Sequence, residues 1–287
     1  MGARLRSARA QIYRMTLRAP SSGADDLVEV EPGLEVPRFV LEWARFGADE
    51  ARAFFDRLPV PVELEGQSVL ALGRGAGDLG LEVLDRGARA VVALEMAGAR
   101  ADLAIARRDR ERGGGDSSPI EIRRHRGDPG QLPDGPFDVA LATRAFRRYG
   151  VDPSSPHLER TIQGLFQGLK AGGLLGIEFG PFWKAPYGGA IDSRLPWAHL
   201  IFPEEVIFAE YRRVRTGSGA QAFADLGINK ITLARFRRAM SDSGFQPLRV
   251  EVNIGDSRSI KAVRALSHVR VLEEYLAQNL YGVWRRP

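Results

Sequence analysis

Four glycines in residues 68–80 are the residues whose type and spacing most clearly indicate chemistry. The apolar run Ser68–Leu72 has the composition of a strand, and a helical pattern follows it after glycines at 73, 75, 77 and 80. Glycine lets a backbone turn sharply and approach a ligand closely, because it has no Cβ. The helix that follows would direct unpaired N–H groups at an anionic or acceptor-rich group. We therefore predict a ligand site at this turn.

A carboxylate about eighteen residues further on indicates what kind of ligand the turn binds. The run Ala90–Leu94 is typical of a second buried parallel strand, and it ends in Glu95. An acid at the tip of such a strand is placed to accept hydrogen bonds from two ribose hydroxyls, the alternative being an acid that only faces solvent. Dinucleotide-dependent dehydrogenases and enzymes with a nucleoside-based methyl donor share this geometry. The last three glycines satisfy the dinucleotide pattern, but the turn begins earlier, at Gly73.

The longer form Gly73-x-Gly75-x-Gly77 resembles motif I of the class I S-adenosylmethionine-dependent methyltransferases. The resemblance continues in Arg126-Gly127-Asp128, in Pro136–Ala140, and in a predicted helix over 155–170 that leads through Ala171-Gly172-Gly173 into a strand. It covers about Phe39 to the C-terminus. It implies S-adenosylmethionine as cofactor, with an acid beside the adenine amino group. The cofactor-binding residues that it implies are Gly73, Gly75, Gly77, Glu95 and Asp128, and we add Arg74 as a further cofactor-binding candidate within the turn.

Two residues of the turn depart from the family pattern. Ala71 stands where the family usually has an acid that helps to hold the methionyl ammonium, and Arg74 stands where a small residue is common. Together they make the pocket more positive, which disfavours an ammonium or a sulfonium and suits a carboxylate. Coulomb energies of about 1–4 kcal/mol are at stake at such distances. In an active enzyme Arg74 would pair with the donor carboxylate; in a catalytically silent relative it would not.

The order of predicted elements indicates the fold. We expect a seven-stranded, mostly parallel, doubly wound α/β sheet with an antiparallel last strand and an inserted cap. Phe245–Val252 and Asn279–Trp284 are predicted as the last strands, with a helix over about 260–277 between them. The predicted division is an N-terminal arm with helices over 1–60, a cofactor-binding core over 61–180, a cap over 181–230, and completion of the sheet over 231–287.

Residues 181–229 form an aromatic insertion rich in glycine and proline after the fifth predicted strand of the sheet. Long insertions at the carboxyl end of a strand are often functional lids. We predict that Trp183, Tyr187 and Trp197 contact the substrate, the alternative being that they form the small core of the cap itself. His199 is the candidate catalytic base, since neutral imidazole accepts a proton near pH 7; the alternative is a histidine hydrogen-bonded inside the cap.

Composition excludes several classes of function. The chain has 287 residues and no cysteine, which excludes thiolate catalysis and fits a cytoplasmic protein, and its four histidines form no close-spaced pair, so no metal site is predicted. No apolar run is long enough to span a bilayer. The net charge is +5, but the basic residues are dispersed as pairs, which is typical of solvated faces and disfavours a nucleic-acid partner.

The function that these patterns favour is S-adenosylmethionine-dependent methyl transfer to a hydroxyl or amine of a small molecule. The alternatives are a catalytically silent relative that binds a ligand or a protein partner, a nicotinamide-dependent oxidoreductase, and an RNA methyltransferase. A protein partner or a homo-oligomer is left open.

Overall fold

The structure is a computed structural model. It describes residues 10–15, 17, 27–31, 34–37, 47–96, 98–112, 118–125, 132–146, 157–189, 193–214, 219–226, 228–253 and 270–287. The predicted adenine-side acid, Asp128, and most of the predicted helix over 260–277 lie outside these residues.

Seven strands form one sheet with the predicted topology. The strands of the chain are β1 (Leu27–Glu31), β2 (Leu34–Pro37), β3 (Ser68–Gly73), β4 (Ala90–Glu95), β5 (Ile120–Arg124), β6 (Phe137–Thr143), β7 (Leu169–Phe179), β8 (Gln246–Val252) and β9 (Leu280–Arg285). The sheet order is β5-β4-β3-β6-β7-β9-β8, and β1 and β2 form a separate two-stranded sheet. Neighbours from β5 to β7 are parallel, whereas β9 is antiparallel to both β7 and β8. The predicted fold class is therefore confirmed.

Helices cover both faces of the sheet. The helices with assigned bounds, including those of the cap, are α1 (Gly47–Arg57), α2 (Ala76–Asp85), α3 (Gly98–Arg112), α4 (His157–Gly168), α5 (Ala198–Ile201), α6 (Glu204–Val214), α7 (Leu233–Asp242) and α8 (Arg270–Leu276), with a 3-10 turn at Ala224–Leu226. Side chains alternate across β3, so Leu70 and Leu72 pack with α4 and α7, while Val69 and Ala71 pack with α1, α2 and α3. Burial on both faces explains why β3 is a continuous apolar run.

The strand that follows α4 begins earlier than the sequence predicts. Ala171-Gly172-Gly173 was expected to precede the strand, but β7 already starts at Leu169, which pairs with Phe137. The register then shifts, so that Val139 pairs with Leu174. Gly172 takes a left-handed φ of 80°, which a residue without Cβ adopts readily. The glycines therefore form an irregularity within the strand.

Residues of the predicted N-terminal arm pack against residues of the predicted cap. Tyr13 is fully buried, and its ring lies 5.1 Å from that of Phe202. Arg14 donates to both carboxylate oxygens of Glu210, at 2.7 and 2.9 Å, and Leu17 bridges to Ser193. A third hydrophobic cluster, separate from the two on the sheet, therefore joins residues 10–17 to the cap.

Among the helices of the described residues, none is both long and apolar enough to cross a lipid bilayer.

Candidate functional site

The glycine-rich turn lies at the carboxyl ends of the central parallel strands. Gly73 is the last residue of β3 and stands in register with Glu95 of β4 on one side and Thr143 of β6 on the other. The chain leaves β3 for β4 on one side and reaches β6 on the other, which makes this edge a topological switch point. Ligands of open α/β sheets bind in the crevice that forms there.

Two glycines of the turn are required by contacts within the protein. Gly73 has φ 126°, and a Cβ there would lie 1.9 Å from the carbonyl oxygen of Thr143. A Cβ on Gly77 would lie 2.5 Å from that of Ala104, so this glycine lets α2 and α3 pack closely. Gly75 has φ 95° and precedes the first residue of α2, where a left-handed backbone favours glycine. Packing and turn geometry therefore explain why these positions are glycine, whether or not a ligand also approaches them.

Glu95 stabilises the turn by accepting hydrogen bonds from two of its backbone amides. It is 1% exposed, and its Oε2 accepts hydrogen bonds from the amides of Gly75, at 2.8 Å, and Gly77, at 3.3 Å. The carboxylate thus satisfies amides at the start of α2, where the helix dipole also favours a negative charge. Each carboxylate oxygen accepts more than one hydrogen bond, so these contacts are compatible with binding of ribose hydroxyls by Glu95. That role stays a prediction.

Arg100 is a residue of the site that sequence reasoning missed. It is 4% exposed, its Nη2 donates to Asp78 at 2.9 Å, and a Cβ on Gly75 would lie 3.4 Å from that nitrogen. Its Nε has no hydrogen-bond partner among the described residues. The available signal was its place in the first turn of α3, where the helix dipole disfavours a cation.

A second cluster of polar residues gathers around Glu178, the penultimate residue of β7. Thr143 donates from Oγ1 to one carboxylate oxygen of Glu178 at 2.7 Å, and Tyr281 donates to the other at 3.1 Å. Arg57 donates to the Tyr281 oxygen at 3.3 Å. Burial and the charge of Glu178 raise the pKa of Tyr281 to about 12, so its hydroxyl stays protonated and remains a donor. The Glu178 carboxylate is therefore held in one orientation.

A cleft that is partly open to solvent lies between α1, the turn and this second cluster. Its charged lining residues are Glu50, Arg74, Arg100, Arg144 and Glu178. Arg144 Nη2 lies 3.2 Å from Glu50, and Arg144 Nε lies 3.5 Å from Glu178. Glu50 in turn lies 4.0 Å from Arg100. Four of these side chains thus form a row of alternating charge, in the order Arg100, Glu50, Arg144, Glu178.

Of the two residues that depart from the family pattern, Arg74 lines the cleft and Ala71 does not. Ala71 is fully buried within the sheet and its Cα is in register with Ala93 and Leu141, so β3 brings no carboxylate to the cleft. Arg74 is half-buried and lines the cleft. Its amide donates to the carbonyl of Thr143 at 3.1 Å, which ties the turn to the end of β6.

His199, the predicted base, lies inside the cap. It is 6% exposed, its ring centroid is 4.7 Å from that of Trp183, and its Nε2 lies 2.5 Å from the carbonyl oxygen of Trp183. A carbonyl only accepts, so Nε2 carries the proton of this hydrogen bond. Burial lowers the pKa of His199. These contacts favour a histidine hydrogen-bonded within the cap, and its role as a base stays a prediction.

The three aromatic residues predicted to contact the substrate have different surroundings. Trp183 lines a small cleft with Phe179 and Lys230, and its ring packs against Phe223. Trp197 donates from Nε1 to the carbonyls of Lys184 and Tyr275, at 3.1 and 3.2 Å. Tyr187 is 45% exposed. Their contact with a substrate stays a prediction, and of the three only Trp183 lines a cleft described here.

Similarity to solved structures of other proteins supports the fold assignment. No family model matches the chain, and no curated protein is significantly similar in sequence. Geranyl diphosphate C-methyltransferase from Streptomyces coelicolor A3(2), solved with S-adenosyl-L-homocysteine, is 16% identical with a TM-score of 0.53, over 95% of this chain and 87% of that one. An S-adenosylmethionine dependent methyltransferase from Mesorhizobium loti is 17% identical with a TM-score of 0.50, over 83% and 96%.

A third similar structure is that of a protein described as a cyclase, SpnF. It is 17% identical with a TM-score of 0.50, over 85% of this chain and 82% of that one. Identities at this level show the fold alone. Together with the antiparallel β9 between β7 and β8, they show that the chain has the fold of the class I methyltransferases.

Proposed function

We propose that this chain, built on the class I methyltransferase fold, binds S-adenosylmethionine and transfers its methyl group to a hydroxyl or amine of a small molecule. The observation that carries the proposal is the glycine-rich turn at the switch point, with Glu95 buried beneath it at the end of the next strand. The structural neighbours include two methyltransferases, one of them solved with S-adenosyl-L-homocysteine. The bound donor would supply an electrophilic methyl group on sulfur.

The residues proposed to bind the donor fall into two groups, one for each end of the ligand. Glu95, with Asp128 of the resemblance, would bind the adenosine end. The turn from Gly73 to Gly77 would lie beneath the methionyl end, with the Arg74 side chain toward the cleft. The residues present fit such a ligand, because the cleft beside the turn carries both acidic and basic side chains, as an amino-acid group requires.

The cap would hold the methyl acceptor. Its own hydrophobic core, which includes Phe202 and Phe223, provides a framework on which Trp183 faces a cleft beside the end of β7. In-line methyl transfer depends mainly on alignment and exclusion of water, so the reaction has no general need of a dedicated base. The buried, hydrogen-bonded His199 is compatible with this mode of catalysis.

Calorimetric titration of the purified protein tests the proposal. We expect S-adenosylmethionine and S-adenosylhomocysteine to bind with a stoichiometry near one, and NAD to give no heat of binding. Absence of binding of either adenosyl ligand at millimolar concentration would overturn the proposal. Saturable binding of NAD instead would favour the oxidoreductase.

A catalytically silent binding protein is the second candidate, and the charge of the site is what favours it. Ala71 leaves β3 without a carboxylate, and three arginines line the cleft. The fold is also compatible with other activities, as the structure described as a cyclase illustrates. The two candidates differ in the expected effect of substitutions at Arg74.

A further inference from the structure

The missing acid of β3 raises the question of what would hold an ammonium group in the cleft. The Ala71 side chain is enclosed within the sheet, and Arg74 adds a positive charge at the mouth of the turn. A carboxylate for an ammonium therefore has to come from another element.

Two other elements supply one. Glu178 is at the level of the turn, because Gly73 is in register with Thr143 and Thr143 with Glu178. Its two hydrogen bonds from Thr143 and Tyr281 fix it in place, and its side chain is 14% exposed. Glu50 reaches the same cleft from α1 and is 43% exposed.

The basic residues interleave with these acids. The Arg144 guanidinium lies between Glu50 and Glu178, within 3.2 and 3.5 Å of their oxygens, and Arg100 lies beyond Glu50. The Arg144 backbone is left-handed, with φ 48°, and its amide donates to the Glu178 carbonyl at 3.1 Å, which sets where this side chain leaves the strand edge. A multiply charged anion would face Glu50 and Glu178 here, and a simple cation would face three arginines.

A group that carries both charges matches this row best. We infer that the cleft between α1 and the glycine-rich turn recognises a zwitterionic α-amino-acid group, with Glu50 and Glu178 accepting from the ammonium and Arg144 and Arg74 donating to the carboxylate. This rests on the proposed function, in which the group is the methionyl end of the donor. The acid that β3 lacks is thereby replaced from α1 and β7. Charge-assisted hydrogen bonds of this kind are about twice as strong as neutral ones.

Two probes separate this inference from the proposed function. S-adenosylhomocysteine carries the amino-acid group, whereas 5′-methylthioadenosine has the same adenosine and sulfur without it. Binding of both is measured by calorimetry on the wild-type protein and on Glu50→Gln, a change on the exposed side of α1. Asp49→Asn is the matched control, because Asp49 is on the same helix and pairs locally with Arg52. Glu178→Gln is a second variant, which keeps a hydrogen-bond acceptor, and thermal denaturation establishes that each variant is folded.

We expect wild-type protein to bind S-adenosylhomocysteine at least tenfold more tightly than 5′-methylthioadenosine. Glu50→Gln and Glu178→Gln should each weaken S-adenosylhomocysteine about tenfold, the effect of roughly 1.4 kcal/mol, and leave 5′-methylthioadenosine unchanged. Asp49→Asn should change neither. Equal binding of the two ligands by the wild type, or unchanged S-adenosylhomocysteine affinity in both folded variants, would overturn the inference and leave the donor site standing. Binding of neither ligand by the wild type would overturn the proposed function and the inference with it.

Discussion

The carboxylate of Glu95 and the amide of Gly75 are joined by a 2.8 Å hydrogen bond that closes the glycine-rich turn onto the end of the neighbouring strand. The same carboxylate oxygen also holds the amide of Gly77. The residue proposed to bind the ribose is therefore also a cap of α2, and substitutions there act on binding and on stability together.

Replacement of Glu95 by alanine should lower the affinity for S-adenosylhomocysteine by about 1.5–3 kcal/mol, because two ribose hydroxyls lose a charged acceptor. It should also lower the melting temperature, since two amides at the start of α2 lose their partner. Glu121→Ala, on the adjacent strand with an exposed carboxylate paired to Arg123, is the control. An unchanged affinity in folded Glu95→Ala protein would contradict the adenosine site.

Substitution of Arg74 distinguishes an active enzyme from a silent relative. If the enzyme is active, Arg74→Ala should weaken donor binding several-fold, because the donor carboxylate loses a cation. If the chain is a silent relative, the double change Ala71→Asp and Arg74→Cys should strengthen donor binding. The two hypotheses predict opposite signs, and titration with S-adenosylmethionine measures both.

Replacement of Trp197 by phenylalanine should affect the cap and leave the donor site intact. In Trp197→Phe the carbonyls of Lys184 and Tyr275 lose a shared donor, which we expect to cost about 1–3 kcal/mol of unfolding free energy. Acceptor binding should weaken, and S-adenosylhomocysteine affinity should stay the same. Tyr275→Phe, which changes only an exposed side chain and keeps the backbone carbonyl, is the matched control. A parallel fall in donor affinity in folded Trp197→Phe protein would assign this segment to the donor site.

Stability should depend on Tyr281 at alkaline pH. Its pKa is raised to about 12 in the folded protein, against about 10 when unfolded, so the folded state holds the proton more tightly. The resulting contribution, about 2–3 kcal/mol, is complete below pH 10 and is lost as the pH rises toward 12. Denaturant titrations at pH 9 and pH 11.5 measure the loss. Tyr281→Phe should reduce it, and an identical loss in that variant would show that another group is responsible.

His199 should have the opposite dependence, at acidic pH. Burial lowers its pKa in the folded protein, so the unfolded chain takes up the proton first. The stabilising contribution is present above the unfolded pKa, about 6.5, and is lost as the pH falls below it. We expect the melting temperature to fall between pH 7 and pH 5, and to fall less in His199→Gln. If His199→Gln keeps the melting temperature but loses turnover with an identified acceptor, the catalytic hypothesis is supported instead.

Patterns that are local in sequence predicted the sheet and the turn. The run into Gly73 and the strand that ends in Glu95 are short apolar runs bounded by turn residues, and the apolar residues Leu158, Ile162 and Leu165 of α4 recur at helical spacing. A sequence displays both patterns directly. The predicted start of β7 was wrong. Ala171-Gly172-Gly173 includes two glycines, which is typical of a loop, but a shift of register accommodates these residues within the strand.

The cleft could not be predicted in the same way. Its contacts join residues far apart in the chain: 103 positions separate Glu178 from Tyr281, and 94 separate Glu50 from Arg144. No spacing encodes such pairs, since the first arises from the pairing of β7 with β9 and the second only when the carboxyl end of β6 meets α1. The departure at Ala71 was visible in the sequence, but the acids on the other elements were not recognisable until the fold placed them together.

The contact between Arg14 and Glu210 has a consequence for the order of events on the ribosome. The two residues are 196 positions apart, which at ordinary rates of translation corresponds to about 10–40 s of synthesis. The residues that bury Tyr13 are synthesised only toward the end of that interval. The elements β3, α2 and β4, which contain the turn, are synthesised early in the same interval. The glycine-rich turn proposed to lie beneath the donor can therefore form early in translation, whereas the cap proposed to hold the acceptor is completed only when residues 10–17 join a segment made much later.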